Sequence, residues 1–287
     1  MIKDKLMLIV AMFLFGSLGV IVTNSNLLST EITMFRGIIG GLFVFLFARI
    51  TKKEAHKSTI KEKVFSIAIG VLIGINWILL FEAYNYLGVS LTTILYYMAP
   101  FILVIYGIVL FKEKIKISQI VCLLLAIIGV YFIMENPQFG STQYIGVVFA
   151  LVAAIIYASV VSANKFLSEV PVFEKVGIQL LSAGLFITPY VAVENNLSFR
   201  YTYEQWLTLL MLGVIHTGVA YTFVYIAITR LKSSTIAIMS YVDPLSAVLF
   251  AFLLLQERLY FIQWIGVIII MIALSLHEWD IFSFKKK

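Results

Sequence analysis

The chain has 287 residues, 62% of them hydrophobic and 13% charged, with a net charge of +6 and a mean hydropathy of +1.03. Soluble domains carry about 25% charged and about 45–50% apolar residues, so this composition excludes an ordinary soluble enzyme or binding domain. The apolar excess comes in blocks of about 18–22 residues, long enough to cross a hydrocarbon core of roughly 30 Å. The chain is an all-α polytopic membrane protein with little left over for a soluble domain.

Ten transmembrane spans are predicted, at 6–24, 31–48, 64–86, 90–111, 117–134, 144–164, 174–193, 205–229, 234–255 and 260–277. Lys3 and Lys5 precede the first, as in a secretory leader. It lacks a small-residue cleavage site and is as long as its neighbours, so it counts as a span. Cys122 sits alone in span 5. A single thiol can form neither an internal disulfide nor a structural metal site, and it reads as a small core residue.

Lys and Arg are retained on the cytoplasmic side of a membrane. With the N-terminus inside, 18 of the 21 fall on inside segments; Arg200 and Arg258 lie outside, and Arg36 lies within span 2. The basic charge is therefore topological rather than a nucleic-acid footprint. Both termini are expected in the cytoplasm, with the protein in the plasma membrane. Trp206, Trp264 and Trp279 lie near span ends and read as interfacial belt residues.

Residues 96–116 recur at 240–260. Sliding the chain by 144 positions superposes Tyr97 on Tyr241, Pro100 on Pro244, Glu113 on Glu257 and Lys114 on Arg258. The same slide matches Gly74 with Gly218, Ala83 with Ala227 and Gln119 with Gln263. Such a fixed offset marks a duplication, with repeats at 1–134 and 144–278. Five spans per repeat is an odd number, so the second repeat is inverted relative to the first. Inverted repeats characterise many secondary transporters, whose sites lie near the midplane where the repeats meet. The internal duplication supplies both halves, so a monomer is expected.

Ionisable residues at membrane depth are costly and mark functional sites. Asp243 lies in the middle of span 9, directly before Pro244, and its first-repeat counterpart is Ala99. His216, at similar depth in span 8, could carry a proton or partner a carboxylate. Glu82 lies near the outer end of span 3. Arg36 could pair with Glu31 or Glu82, or snorkel outward.

The offset places Trp77 on Tyr221 and Phe81 on Tyr225, giving matching aromatic stripes on spans 3 and 8. With Tyr97 and Tyr241 these rings suit a substrate carrying an aromatic group or a cation. Asn76, Tyr157 and Asn24 could add polar contacts. Pro100 and Pro244 each remove a helical hydrogen bond near mid-membrane, producing either a fixed kink or a hinge.

Phe15-Gly16-Ser17 in span 1 and Tyr157-Ala158-Ser159 in span 6 form a repeated aromatic-small-Ser element. Asn76-Trp77 and the two proline-then-charged-turn segments complete a pattern that resembles the drug/metabolite transporter superfamily in its EamA-type branch. Within that branch the chain is similar to aromatic amino-acid exporters. The resemblance implies ten helices in two inverted five-helix repeats and export of small metabolites, namely aromatic or apolar amino acids, by alternating access. A proton-coupled carrier or efflux pump for organic cations is the alternative, with Asp243 as the anionic partner; a lipid flippase or channel fits less well. Phosphate-loop, zinc-protease, dinucleotide-binding and nucleophile-elbow motifs are absent. No cofactor is expected, and the partners are a small-molecule substrate and the lipid bilayer.

Overall fold

The computed structural model describes residues 2–51, 58–112, 117–135, 140–194, 199–231 and 233–283. The turn residues Glu113 and Lys114 and the side chain of Trp279 lie outside the described set. Among the described residues every regular element is helical.

The first three crossings are α1 (Ile2–Asn24), α2 (Ser29–Thr51) and α3 (Ile60–Leu87). The fourth is made of two pieces, α4 (Val89–Tyr96) and α5 (Ala99–Phe111), and α6 (Ile117–Met134) is the fifth. In the second half, α7 (Ser141–Asn164) and α8 (Val172–Glu194) are joined by a short 3-10 turn. The eighth crossing comprises α9 (Tyr203–Gly213), a π-helical segment (Val214–Val219) and α10 (Ala220–Arg230). The ninth is again two pieces, α11 (Ser233–Ser240) and α12 (Val242–Leu254), before α13 (Phe261–Ser283). Ten crossings result, as the sequence predicts.

Local chemistry sets the ends. Thr59 accepts a hydrogen bond from the Glu62 backbone N–H while Glu62 reaches back to the cap, and Thr202 with Gln205 repeats the device ahead of α9. Each pair satisfies backbone donors that the helix itself leaves orphaned.

Three crossings differ from expectation. Spans 4 and 9, predicted as continuous helices bent at proline, are broken at Tyr97-Met98 and at Tyr241, about one turn ahead of each proline. Pro100 has no N–H to offer the Tyr96 carbonyl. Phe101 N–H turns to Met98 O at 3.0 Å, and Pro100 occupies the first turn of the new helix α5, where a missing donor is harmless. Span 8, predicted as a plain helix, widens into i→i+5 bonding through Val214–Val219.

The packing interleaves the repeats. Helix α1 lies against α12 and α10 of the second half, while α7 lies against α3, α4 and α5 of the first. Helices α2 and α8 meet along their length, and α6 meets α13. The α2–α8 contact depends on small residues: a Cβ on Gly37 would stand 2.5 Å from the Gly184 backbone nitrogen. Close backbone approach of this kind replaces the hydrophobic drive that lipid cannot supply. Outward stripes such as Leu245, Leu249 and Phe252 on α12 are exposed and suit the acyl chains.

Candidate substrate site

The two breaks meet. Tyr97 sits at the end of α4 and donates its hydroxyl proton to Asp243 Oδ2 at 2.8 Å; the same hydroxyl lies 3.5 Å from the Ser240 carbonyl. Asp243 occupies the first turn of α12, where exposed backbone N–H groups favour negative charge. The inverted repeat thus brings two broken helices together through one side-chain bond. Among the described residues Asp243 forms no ion pair. Tyr97 and Tyr241 pack on one apolar cluster with Ile94, Leu95 and Met98.

A second wall is built around the π segment. A π turn carries its backbone bonds one residue further, leaving carbonyls near its start short of their usual donors. Side chains take them. Thr217 Oγ1 donates to Leu212 O at 2.9 Å, and His216 Nδ1 lies 3.4 Å from Met211 O. The other imidazole nitrogen, Nε2, is 3.1 Å from Ser17 Oγ on α1. Thr217 also accepts from Arg36 Nε at 2.7 Å, and the Arg36 guanidinium lies over the Trp77 ring at 4.2 Å and near Phe81 at 5.7 Å. Cation–π contact of this kind is stronger where water is excluded, and Arg36 is only 3% exposed.

Aromatic side chains join the two walls. Tyr221 packs edge-on against Phe15 at 5.5 Å and lies 6.5 Å from Tyr225, centroid to centroid. Tyr96 donates to Asn76 Oδ1 at 3.2 Å and its ring lies 5.4 Å from Tyr157; Asn76 in turn donates to Ala153 O at 2.6 Å. Tyr157 is 42% exposed although Tyr96, Tyr97, Tyr221, Tyr225 and Asp243 are all its electrostatic neighbours. It lies on the α7 face opposite the exposed Val148, Val152 and Ile155 and on the side of the fully buried Ala150, Ala153 and Ala154, so its free surface faces inward, into an opening beside Tyr96.

The nine predicted binding residues fall on crossings 3, 4, 6, 8 and 9. Asn76, Trp77, Tyr97, Tyr157, Tyr221, Tyr225 and Asp243 cluster as described, His216 sits beside the Thr217 that holds Arg36 and contacts Ser17 of α1, and Tyr241 lies at the α11–α12 break. Of the hinge candidates, Pro100 and Pro244 lie just beyond the breaks rather than at them. Asn24 is exposed at the last position of α1, and Glu82 is half-buried near the end of α3. Trp264 and Trp206 are 41% and 38% exposed, and Trp206 also packs against Phe35 and Tyr201 at 5.2 and 5.4 Å. In the loop beside it, Tyr201 donates to Glu31 at 2.8 Å, and burial together with that carboxylate pushes its phenol above the ordinary range.

Sequence reasoning missed the place of Arg36 and did not mark Thr217, Tyr84 or Tyr96. Arg36 pairs with neither Glu31 nor Glu82 among the described residues; it points into the protein at Thr217 and Trp77. A signal was present: the 144-residue offset sets His216 and Thr217 on Leu72 and Ile73, the same apolar-to-polar departure as Ala99 and Asp243.

The chain matches the EamA-like transporter family twice, over residues 4–135 and 144–277. It belongs to the EamA-like transporter family. The two matched blocks correspond to the two five-crossing halves, within the wider drug/metabolite transporter superfamily. Among EamA-like relatives, it is similar to the uncharacterized transporter YxxF of Bacillus subtilis, at 22% identity over 94% of this chain and 87% of that one. It also resembles the pseudopaline exporter CntI of Pseudomonas aeruginosa, at 24% identity over 73% of each chain. The protein RarD of Escherichia coli is 26% identical over 75% of this chain and 72% of its own. A crystal structure at 17% identity superposes with a TM-score of 0.66 over 96% of both chains, so the two share an overall fold. The chain is thus a multi-pass membrane transporter of the EamA type.

Proposed function

We propose that this transporter exports amino acids with aromatic or apolar side chains from the cytoplasm. The observation that carries the reading is the aromatic opening flanked by the Tyr97–Asp243 bond and by Arg36 over Trp77. Aromatic walls accommodate a ring or an alkyl side chain, and a few polar groups orient the rest of the ligand. The Pseudomonas relative is named as an exporter, which is consistent with outward transport here. The protein works as a monomer in the plasma membrane with both termini cytoplasmic, as the Lys and Arg distribution indicates.

Transport proceeds by alternating access around this opening. The interleaved packing favours two moving bodies that differ from the sequence halves: α1 with α10 and α12 on one side, α7 with α3, α4 and α5 on the other. The breaks at Tyr97 and Tyr241 supply the backbone freedom, with Pro100 and Pro244 fixing where the second half-helices begin.

A ligand that binds the folded state raises the unfolding temperature, by an amount that grows with the logarithm of its concentration above Kd. Phenylalanine, tryptophan and leucine are expected to stabilise the detergent-purified protein, whereas sugars and inorganic anions leave it unchanged. No shift with any amino acid would sink the assignment. A second reading rests on Asp243, whose carboxylate meets no cation among the described residues: an organic cation could be the cargo. Stabilisation by tetraphenylphosphonium, abolished in Asp243→Asn, with none by amino acids, would select that reading.

A further inference from the structure

Arg36 and Asp243 are opposite charges in the same opening that do not neutralise each other. Arg36 uses Nε on Thr217 and its face on Trp77, and it forms no ion pair among the described residues. Its neighbours are the tyrosines Tyr84, Tyr96 and Tyr221. Asp243 accepts from Tyr97 and is likewise without a cation partner among the described residues. One run of contacts joins the two charges: Arg36 lies over Trp77, its neighbour Asn76 accepts from Tyr96, and the adjacent Tyr97 donates to Asp243.

A buried charge without a counter-ion is expensive unless a partner arrives from elsewhere. Two such charges of opposite sign, joined only through neutral side chains, match a ligand that carries both charges itself. We infer that Arg36 and Asp243 form a two-point clamp for a zwitterion: the substrate carboxylate docks on the free guanidinium edge of Arg36 and its ammonium on Asp243, with the side chain among the rings. Arginine suits the first role because its planar fork can present two parallel N–H groups to a carboxylate even while another nitrogen is engaged. The Thr217 bond and the Trp77 face fix that fork in place. Bringing both charges with the ligand also leaves the loaded carrier electrically balanced in the low-dielectric part of the membrane.

The inference rests on the amino-acid reading above and sharpens it to the α-carboxylate and α-ammonium. Competition against labelled phenylalanine counterflow in proteoliposomes tests it with three analogues: phenylalaninamide and phenethylamine, which lack the carboxylate, and 3-phenylpropionate, which lacks the ammonium. In the wild type each analogue is expected to compete at least about 10-fold more weakly than phenylalanine, since a hydrogen bond to a charged group is worth about that factor or more. Arg36→Gln is expected to bring the amide and amine level with phenylalanine without improving 3-phenylpropionate. Asp243→Asn is expected to do the reverse. Arg36→Lys, which keeps the charge but loses the fork, retains a preference for the zwitterion reduced several-fold.

Phenylalanine transport by the wild type with unchanged discrimination in both variants overturns the clamp while leaving the amino-acid reading intact. Counterflow of amines alone, or of no amino acid at all, overturns both. Should either variant fail to yield monodisperse protein, the wild-type analogue series decides: amide or amine competing as well as phenylalanine overturns the Arg36 subsite.

Discussion

At the scale of single residues, Tyr97 and Thr217 hold the two charges where they are. Replacing Tyr97 with Phe removes the side-chain donor to Asp243 and nothing else in volume. A loss of about 1–3 kcal/mol in unfolding free energy is expected, because a buried acceptor is left short of a partner. Thermal unfolding in detergent measures it, and an unchanged midpoint would mean that the bond is unimportant. Thr217→Val deletes the oxygen that both accepts from Arg36 and satisfies Leu212 O. It is expected to destabilise by a similar amount, about 1–3 kcal/mol, whereas Thr217→Ser stays near wild type. Equal behaviour of Val and Ser would show that the hydroxyl does not position Arg36. Asp243 was legible in the sequence, being a charge at mid-span set against Ala99 in the other repeat. Arg36 was ambiguous. Seven residues into α2, roughly 10 Å along the axis, it could in principle have snorkelled to a headgroup. What the sequence could not convey is that packing of α2 on α8 and the π segment closes that route and turns the side chain inward.

At the scale of elements, the proline-and-charged-turn segments gain a specific function. Glu257, read from the sequence as the copy of Glu113, reaches across to the start of α4. Its Oε1 and Oε2 accept from the N–H groups of Val89 and Ser90 at 2.7 and 2.9 Å. Gly88, at φ 83°, keeps the approach open, since a Cβ there would stand 2.9 Å from Glu257 Oε1. Glu257→Ala is expected to cost about 0.5–2 kcal/mol, the usual worth of an N-cap, read as a lower unfolding midpoint. Gly184→Val is expected to be worse, since the added atoms meet the α2 backbone at Met34 and Ile38. Overpacking of this kind costs about 1–3 kcal/mol, and loss of monodisperse protein on size exclusion would register it. Span positions were readable because about 20 apolar residues are needed to cross a bilayer. The breaks and the π turn were not readable to the residue. Proline announces that a donor is missing but leaves open which neighbouring carbonyls absorb the change, and i→i+5 bonding has no composition of its own.

At the scale of the whole molecule, duplication and inversion followed from the 144-residue offset, but the interleaving did not. Sequence repeats suggest two separable bundles, whereas α1 and α7 each pack against the other half. Residues 1–139 and 140–287 expressed separately are therefore expected to give no monodisperse protein, and co-expressed they should assemble into one. Two independently stable halves would contradict this packing. Orientation can be checked with a C-terminal reporter active only in the cytoplasm; an inactive reporter on folded protein would reverse the assigned topology. Counterflow of labelled phenylalanine by purified wild-type protein in proteoliposomes tests the central claim most directly. Uptake that saturates with phenylalanine, depends on unlabelled phenylalanine inside and is depressed in Asp243→Asn is the expected result. Folded wild-type protein that moves no amino acid above empty liposomes would contradict it.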